Sequence, residues 1–481
     1  MREELLQFIW RWQYFNPHEL LSETGEVLQV LSPGELNVHQ GPDFLHAQVR
    51  IGGVLLVGSV ELHIAASDWD RHAHTGDSHY RNVILHVVWE NDLDAGVPIR
   101  DGEDAVEAGK PAGVEDDDDP MKTVKDIPML VLQHRISKPL LGQYELWMKS
   151  RVFVPCERQL SQAGPDVWAG WKQELLLRRL QRRAMQVGVW LEQNRRDWEE
   201  TTWWLLARNF GLTVNGAAFE AIARSLPIRM LARYRGDLFR LEALLLGQAG
   251  LLGEGEGRPK PEGEERLKSE GEGRPKPEGE ERLKSEGGDF LMLQREYRYL
   301  QRKYQLMPIQ IPPRFFRMRP AHFPTVRLAQ LASLLSEHTG WFTAILEADS
   351  PADLDDRLQA AAGSYGAKDG GKDRTKKLGE IMRNSIRINT FIPLLYAYGS
   401  LQSVPVCRER ALRWLREAKA EKNTILTGWM RLGVANLNAA DSQALLELKG
   451  HYCDAKKCLD CAIGKLLLGK TGSPDGYAGM G

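Results

Sequence analysis

A hairpin signature near the N-terminus constrains this chain more than any other feature of its sequence. Residues 44–51 form an apolar β-forming run, Gly52-Gly53 is a tight-turn signal, and residues 54–64 form a second run. We expect two antiparallel strands joined by this turn. Because side chains alternate between the two faces of a strand, Glu61 and His63 must project from the same face.

Asp43 comes directly before the first strand, and antiparallel pairing brings it to the end of the hairpin that carries Glu61 and His63. One acid from each strand, with an imidazole two residues on, can hold a divalent cation and a water that it activates. We therefore predict Asp43 and Glu61 as ligands of magnesium or manganese, and His63 as the residue that positions or deprotonates water. A turn followed by a solvated hairpin face is the alternative.

The order Pro42-Asp43 and then Glu61-x-His63 resembles the motif of the PD-(D/E)xK nucleases, with histidine where lysine is usual. The resemblance covers about residues 1–135. It implies a restriction-endonuclease-like sheet with flanking helices, two acids that bind magnesium, a third residue that handles water, and a nucleic-acid substrate. A helical pattern over residues 3–14 fits the start of such a core, and Glu3, Glu4 or Glu19 could supply a further acid.

Histidines are concentrated around the hairpin, since seven of the twelve in the chain fall within residues 39–86. This density beside two acids favours metal or acid-base chemistry, and we add His72 and His86 to the predicted metal ligands. The alternatives are a hydrogen-bonded core position for His86, which lies in an apolar run, and a solvated loop for His72 and His74.

The chain of 481 residues is long enough for two or three domains, and its formal net charge of -2 provides no overall field that would favour nucleic acid or a membrane. We predict an α+β fold, with a mixed, twisted sheet in residues 1–150 and an all-helical domain in residues 151–481. The start of the chain does not resemble a signal peptide and no apolar run could span a bilayer, so we expect a cytoplasmic protein without a membrane partner.

Two segments have the composition of disordered chain. Residues 91–126 are rich in acidic residues, glycine and proline, and we predict a disordered insertion in the first domain. Residues 253–288 contain a polar 16-residue unit, 255–270, that is repeated without change at 271–286. We interpret this segment as a low-complexity loop with no function of its own.

The segment 295–327 is strongly basic and carries interleaved aromatic residues, as single-strand nucleic-acid binding requires. We predict DNA or RNA contacts from five of its arginines, Arg298, Arg302, Arg314, Arg317 and Arg319. The alternative is an amphipathic helix whose rings fill a core while the arginines remain solvated. The sequence does not indicate an oligomeric state.

The C-terminal region, residues 451–461, contains a C-x4-C-x2-C cluster formed by Cys453, Cys458 and Cys461. Three thiolates at this spacing can bind zinc or an iron-sulfur cluster, with a fourth ligand from His451, Cys156 or Cys407. Some PD-(D/E)xK nucleases hold such a cluster with one distant cysteine and a C-terminal trio, which the set with Cys156 resembles in kind. Three buried free thiols are the alternative.

Almost end to end, the chain resembles a bacterial family, the domain of unknown function 2851 family. The resemblance rests on residues 6–10, 40–44, 58–63, 68–69, 83–88 and 452–461, and it implies no activity. From the residues, our leading hypothesis is a metal-dependent phosphodiesterase that acts on nucleic acid. The alternatives are a non-catalytic interaction protein with a structural metal site at the cysteines, and a hydrolase of small phosphorylated molecules.

Overall fold

The computed structural model describes residues 1–75, 77–93, 127–252, 278–315, 322–359, 368–369, 372–373 and 377–472. The chain divides into two units, one formed by Met1–Trp171 with Lys449–Gly481 and the other by Lys172–Leu448. The sequence instead indicated a boundary near residue 150 and a C-terminus within the helical domain. Sequence patterns reveal which segments are helical but not which distant segments pack together, and the C-terminal segment packs with the first unit.

The first unit consists of a sheet, several helices and the C-terminal segment. Its elements up to residue 149 are helix α1 (Glu3–Trp12), strands β1 (Leu28–Ser32), β2 (Glu35–Leu36), β3 (Phe44–Ile51) and β4 (Val54–Ala65), helix α2 (Asp68–Arg71), strands β5 (Val83–Glu90) and β6 (Met129–Val131), and helix α3 (Lys138–Lys149). The strand order is β1-β3-β4-β5-β6, with β2 also paired to β3. The pairs that involve β3 are antiparallel, whereas β4 with β5 and β5 with β6 are parallel. The predicted α+β class with a mixed N-terminal sheet is confirmed.

The predicted hairpin is formed by β3 and β4, and Ile51 pairs with Val54 across the turn. Gly52 and Gly53 both have positive φ angles, 55° and 89°, as a two-residue turn that matches the twist of the strands requires. Residues near the turn are exposed, whereas the second half of β4, from Gly58 to His63, is buried. The buried half is the part that carries the predicted site.

Strand β5 lies parallel to β4 on the side opposite β3, and this pairing positions the predicted site. Gly58 permits the close approach, because a Cβ there would lie 2.5 Å from Cγ2 of Ile84 and 2.6 Å from the carbonyl oxygen of Asn82. In the parallel register Glu61 pairs with His86 and His63 pairs with Val88. Glu61 and His86 therefore project from the same face of the sheet.

Helix α1 packs on β4 through one apolar face. Leu6, Ile9 and Trp10 are completely buried, and the Trp10 indole N–H donates a hydrogen bond to the carbonyl of Pro33 at 3.0 Å. Glu3 and Glu4 lie in the first turn, where acidic side chains stabilise a helix N-terminus. The helix thereby brings Glu3 and Gln7 to the edge of the site.

The second unit is helical apart from a short antiparallel pair of strands, β7 (Lys368–Asp369) and β8 (Lys372–Asp373). Helix α4 (Pro165–Gln193) starts in the first unit and continues into the second, which also contains α5 (Trp198–Phe210), α6 (Leu212–Ser225), α7 (Ile228–Leu231), α8 (Leu238–Gln248), α9 (Glu278–Tyr304), α10 (Pro324–Glu337), α11 (Trp341–Glu347), α12 (Glu380–Ile386), α13 (Ile392–Leu401), α14 (Pro405–Glu417), α15 (Thr424–Arg431) and α16 (Ala439–Glu447). Trp203 lies in its core and donates from Nε1 to the carbonyls of Ala223 and Leu226 at 3.1 and 2.9 Å. The first unit ends with α17 (Ala462–Gly472).

Both segments that the sequence assigned to disorder lie largely outside the described residues. Of the predicted insertion 91–126, only residues 91–93 are described, and of the predicted loop 253–288, residues 253–277 are not. Helix α9 begins at Glu278, so the end of the second repeat copy is helical where a loop was predicted. Its glutamates, arginine, leucine and lysine are good helix formers, which accounts for this difference.

Within the described residues, none of the helices combines the length and the apolar character needed to cross a membrane.

Candidate metal centre

The site lies on one face of the sheet, where the buried half of β4 runs beside the start of β3 and the middle of β5. Glu61 and His63 project from this face because they are two residues apart on β4. Phe44, Val60 and Leu62 are completely buried, and Phe44 pairs with Val60 in the register of the hairpin. The apolar face anchors the hairpin and leaves the polar face for chemistry.

The carboxylates of Asp43 and Glu61 each accept a hydrogen bond from a backbone N–H on the other arm of the hairpin. The backbone N–H of Asp43 donates to Oε2 of Glu61 at 2.9 Å, and the backbone N–H of Leu62 donates to Oδ2 of Asp43 at 3.1 Å. The side-chain amide of Gln7 donates to Oδ1 of Asp43 at 2.8 Å. Both carboxylate oxygens of Asp43 therefore have a protein partner, and the backbone N–H of Asp43 holds one oxygen of Glu61 in place.

The other oxygen of Glu61 faces two imidazoles. Its Oε1 lies 3.3 Å from Nε2 of His74 and 3.5 Å from Nε2 of His63. Nδ1 of His72 lies 3.2 Å from Nε2 of His63. One nitrogen from each of the three histidines lies within 4.8 Å of the other two. We call His63, His72, His74 and Glu61 the histidine cluster.

His86 is a buried residue that contacts His63 at the ring nitrogen of His63 that does not face His72. Its Nε2 lies 2.9 Å from Nδ1 of His63. In the tautomer with the proton on Nδ1 of His63, the lone pair on Nε2 of His63 is directed towards the cluster, which is the usual arrangement for a metal-binding histidine and the residue that orients it. The sequence assigned His86 as a ligand, and the structure instead places it where it would position a ligand.

His74 was the residue that the sequence prediction did not select. Its Nε2 is buried, and although Oε1 of Glu61 lies 3.3 Å away, no group among the described residues meets this nitrogen with the geometry of a hydrogen bond. A buried nitrogen without a partner is costly in a protein interior, and a bound cation would satisfy it. The H-x-H spacing of His72 and His74 was the available signal, but only His72 was predicted as a ligand.

The local structure after β4 brings His72 and His74 back over the strand. Asp68 accepts a hydrogen bond from the backbone N–H of Ala65 at 3.0 Å and forms an ion pair with Arg71, so the short helix α2 is fixed to the end of β4. Ala73 has a positive φ of 57°, which turns the chain sharply between the two histidines. Both side chains are thereby directed at His63.

Aromatic residues surround the cluster on its inner side. Trp69 is 1% exposed, and its ring lies edge-on to His74 and tilted against His86 at centroid distances of 5.4 and 5.2 Å. Tyr80 stacks on His74 at 3.9 Å. These contacts restrict the rotation of the imidazoles, so the ligand atoms are preorganised.

Exposure changes steadily across the cluster. The side chains of His63, Glu61 and His74 are 1%, 7% and 10% exposed, whereas His72 is an exposed residue. The cluster is therefore closed on the side of the sheet and open on the side of His72. A cation bound there could retain a solvent-facing position, as catalytic metal sites do and closed structural sites do not.

Without a cation, burial and crowding disfavour the ionised form of the acidic groups at this site. Burial raises the pKa of Glu61 to about 9, and the neighbouring Asp43 contributes to that rise. Burial also raises the pKa of Asp43 to about 7, with a contribution from Glu3. Of the three acids that the sequence left open, Glu3 is one whose charge contributes to the raised pKa of both Asp43 and Glu61. A bound cation would favour the ionised form of these carboxyl groups.

The histidines are kept neutral by their surroundings. Burial lowers the pKa of His63 to about 2, and the neighbouring histidines lower it further. Burial likewise lowers the pKa of His86 to about 4 and shifts the pKa of His74 downwards. A neutral imidazole carries the lone pair that a metal requires, so the protein environment favours the ligating form of these side chains.

The predicted nucleic-acid contacts belong to the second unit. Leu293, Tyr297 and Leu300 form the buried face of α9, and Arg298 and Arg302 lie on its exposed face. Arg314 is exposed, and its backbone N–H and carbonyl are both hydrogen-bonded to the side chain of Asn215. Arg317 and Arg319 lie outside the described residues.

The predicted cofactor cysteines, Cys156, Cys453, Cys458 and Cys461, all belong to the first unit. All four are free thiols. Cys407, the other candidate for a fourth ligand, belongs to the second unit.

Comparison with known proteins gives a family but no characterised relative. Residues 3–104 and 114–424 match the family described as "Protein of unknown function (DUF2851)". No curated protein and no solved structure matches the chain. The matched residues include Asp43, the whole histidine cluster and Cys156, whereas the C-terminal cysteines lie beyond them. Because the match covers most of the sequence, the chain belongs to the DUF2851 family, as its sequence motifs predicted.

Proposed function

We propose that the first unit is a metal-dependent phosphodiesterase that acts on nucleic acid, with a divalent cation bound by the histidine cluster. The observation that carries the proposal is the meeting of three imidazole nitrogens within 4.8 Å of one another, with a carboxylate oxygen 3.3 and 3.5 Å from two of them. Three imidazoles and one carboxylate are a common ligand set for catalytic transition metals.

The ligand set favours zinc or manganese as the cation. Imidazole nitrogen binds zinc and other transition ions well, whereas magnesium prefers oxygen ligands and retains most of its water. The sequence alone led us to expect magnesium or manganese because it put two carboxylates at the centre. With His63, His72 and His74 as ligands, zinc and manganese are the candidates, and magnesium is disfavoured.

The roles of the residues follow from their positions. Glu61 and the three histidines would bind the cation, which would lower the pKa of a bound water and stabilise negative charge on a phosphoryl oxygen. Asp43 and His86 would position Glu61 and His63 through the hydrogen bonds described above. His63 would therefore be a metal ligand, in place of the water-handling role that the motif resemblance implied.

Two features support a nucleic-acid substrate. The first is the order of the elements, which follows the one that the nuclease resemblance implies. An acid precedes one strand of the hairpin, Glu61-x-His63 lies on the next strand, and a parallel strand comes after a crossover. In addition, α9 carries Arg298 and Arg302 on its exposed face, where phosphate groups could reach them. The restriction-endonuclease-like assignment of the sheet is part of this proposal.

Hydrolysis by metal-depleted protein reconstituted with zinc, manganese or magnesium tests the proposal. Substrates would be single-stranded and double-stranded DNA, RNA, and bis(p-nitrophenyl) phosphate as a generic phosphodiester. We expect cleavage of a nucleic acid with zinc or manganese and no cleavage in the presence of a chelator. Cleavage of the generic diester alone would identify a small-molecule hydrolase, and stoichiometric metal binding without hydrolysis of any substrate would identify a non-catalytic protein.

Variants separate this activity from a contaminating nuclease. His72→Ala and His74→Ala each remove one proposed ligand and should abolish cleavage. His79→Ala is the matched control, because His79 is an exposed histidine of the same loop region whose ring contacts Asp77 at 2.8 Å. Equal activity of all three variants would refute the assignment of the site.

A further inference from the structure

Four cysteines of the first unit lie at the junctions of separate elements. Cys156 precedes a short 3-10 helix, Glu157–Gln162, and Cys453 ends the π-helical turn Leu448–Cys453. Cys461 comes directly before α17, and Cys458 lies three residues earlier. Cys156 is thus far from the other three in sequence, and the fold alone brings it to them.

The four thiol groups lie near one another, three of them on buried residues and the fourth, that of Cys453, on a half-buried residue. The thiols of Cys156 and Cys453 each lie close enough to Cys458 and Cys461 for their charges to interact, and Cys453 interacts with Cys156 as well. Cys156, Cys458 and Cys461 are between 7% and 9% exposed. Burial, followed by the neighbouring thiols, raises the pKa of Cys156 to about 12. Burial also raises the pKa of Cys458 to about 12.

The surroundings of the sulfur atoms are suited to bound thiolates. The backbone N–H groups of Ile463 and Gly464, in the first turn of α17, and the side chain of Trp171 act on the thiol of Cys461 in the direction that favours the thiolate. Hydrogen-bond donors of this kind stabilise sulfur that carries negative charge, and the N-terminal end of a helix adds to the effect.

Lysines supply positive charge around the same group. Lys449 acts on Cys453, Lys456 on Cys458 and Lys465 on Cys461, in each case in the direction that favours the thiolate. Lys456 is held in place, because its ammonium group donates to the carbonyls of Trp147 and Ser150 at the end of α3. A ligand set of four thiolates carries several negative charges, which these lysines would offset.

We propose that Cys156, Cys453, Cys458 and Cys461 bind a [4Fe-4S] cluster that fastens the C-terminal segment to the rest of the first unit. This inference does not depend on the proposed phosphodiesterase activity. It goes beyond the family match, which ends before the three C-terminal cysteines.

The spacing of the sulfur atoms favours a cluster over a single zinc ion. One zinc ion holds four thiolates about 3.8 Å apart, as follows from bonds of about 2.3 Å arranged as a tetrahedron. Among the described residues, three ligand atoms lie within 4.8 Å of one another in the histidine cluster but not among these cysteines. A cubane cluster binds each thiolate through a different iron, so its four sulfur ligands lie further apart.

Metal and sulfide analysis of the full chain, purified without oxygen, tests the proposal. We expect about four irons and about four acid-labile sulfides per chain, with broad absorbance near about 400 nm that bleaches on reduction. The cluster should also form when the iron-free protein is incubated with ferrous iron and sulfide. The proposal would be overturned if protein purified or reconstituted in this way contained one equivalent of zinc and no sulfide. It would also be overturned if the protein contained neither iron nor zinc.

Single variants identify the ligands. Cys156→Ser, Cys453→Ser, Cys458→Ser and Cys461→Ser should each lose most of the iron and sulfide, whereas Cys407→Ser, a change at a buried cysteine of the second unit, should retain both. Reconstitution of the unaltered chain gives a result even if a ligand variant fails to fold. His72→Ala with His74→Ala should keep the full sulfide content, and loss of sulfide there would show that the cysteines are not the cluster ligands.

Discussion

Asp43 donates its backbone N–H to Oε2 of Glu61 at 2.9 Å, which leaves Oε1 of Glu61 directed at His63 and His74. A side chain that binds metal through one oxygen is most effective when its other oxygen is fixed, because no rotamer freedom is then lost on binding. Two strands of the hairpin thus cooperate to present a single ligand atom to the histidine cluster.

Glu61→Gln should weaken the binding of zinc or manganese by roughly a hundredfold or more, since it removes a ligand and the only full negative charge within the cluster. The amide still fits the space and can accept the hydrogen bond from Asp43, so the fold should be retained. Competition with a chromophoric chelator gives the affinity, and circular dichroism gives the folded state. An unchanged affinity would exclude Glu61 as a ligand.

His86→Phe should lower metal affinity by about tenfold to a hundredfold, because it removes the group that fixes the tautomer and orientation of His63. His86→Gln can still accept a hydrogen bond from Nδ1 of His63 and should recover part of the loss. Titration of both variants, compared with the unaltered chain, checks this order. Equal affinities for the two variants would show that His86 only fills the core.

Gly58→Ala should destabilise the first unit by about 1–3 kcal/mol, because the added methyl group would meet Ile84 and the carbonyl of Asn82 at the junction of β4 and β5. The matched control is Gly142→Ala in α3, where no atom lies within 4 Å of the new methyl group and alanine favours the helix. Thermal unfolding should show a lower midpoint for the first variant only. A common shift would mean that β5 does not require glycine at residue 58.

Arg298→Ala combined with Arg302→Ala should weaken the binding of single-stranded oligonucleotides and lower the slope of log affinity against log salt by up to about 1.4, or about 0.7 for each lost phosphate contact. Arg431→Ala, at an exposed arginine outside the basic segment, is the control. Fluorescence anisotropy at several salt concentrations measures both quantities. If the double variant and the unaltered chain gave the same slope, the two arginines of α9 would not contact phosphate groups.

The hairpin could be predicted from sequence because its information is local. Residues 44–51 and the Gly52-Gly53 turn specify both the strand and its end, and the structure has β3 at Phe44–Ile51 as expected. The alternation of Glu61 and His63 with apolar residues also placed them on one face. The local sequence pattern was sufficient for these features because each depends on a single strand or turn.

The remainder of the site depends on contacts that a linear pattern does not contain. His74 joins the cluster because Asp68 fixes α2 and Ala73 turns the chain, and neither effect is visible as a periodicity. The assignment of Lys449–Gly481 to the first unit likewise rests on packing between segments more than 300 residues apart, such as the hydrogen bond of Ser137 to Thr471. The predicted helical domain, residues 151–481, therefore included a C-terminal segment that packs with the first unit.

Anomalous diffraction from crystals of the full chain soaked in zinc tests the central claim most directly. We predict a zinc peak bonded at about 2.0–2.2 Å to Nε2 of His63, Nδ1 of His72 and Nε2 of His74, with Glu61 as a further ligand. A saturated crystal that shows no peak at these nitrogens would contradict the account.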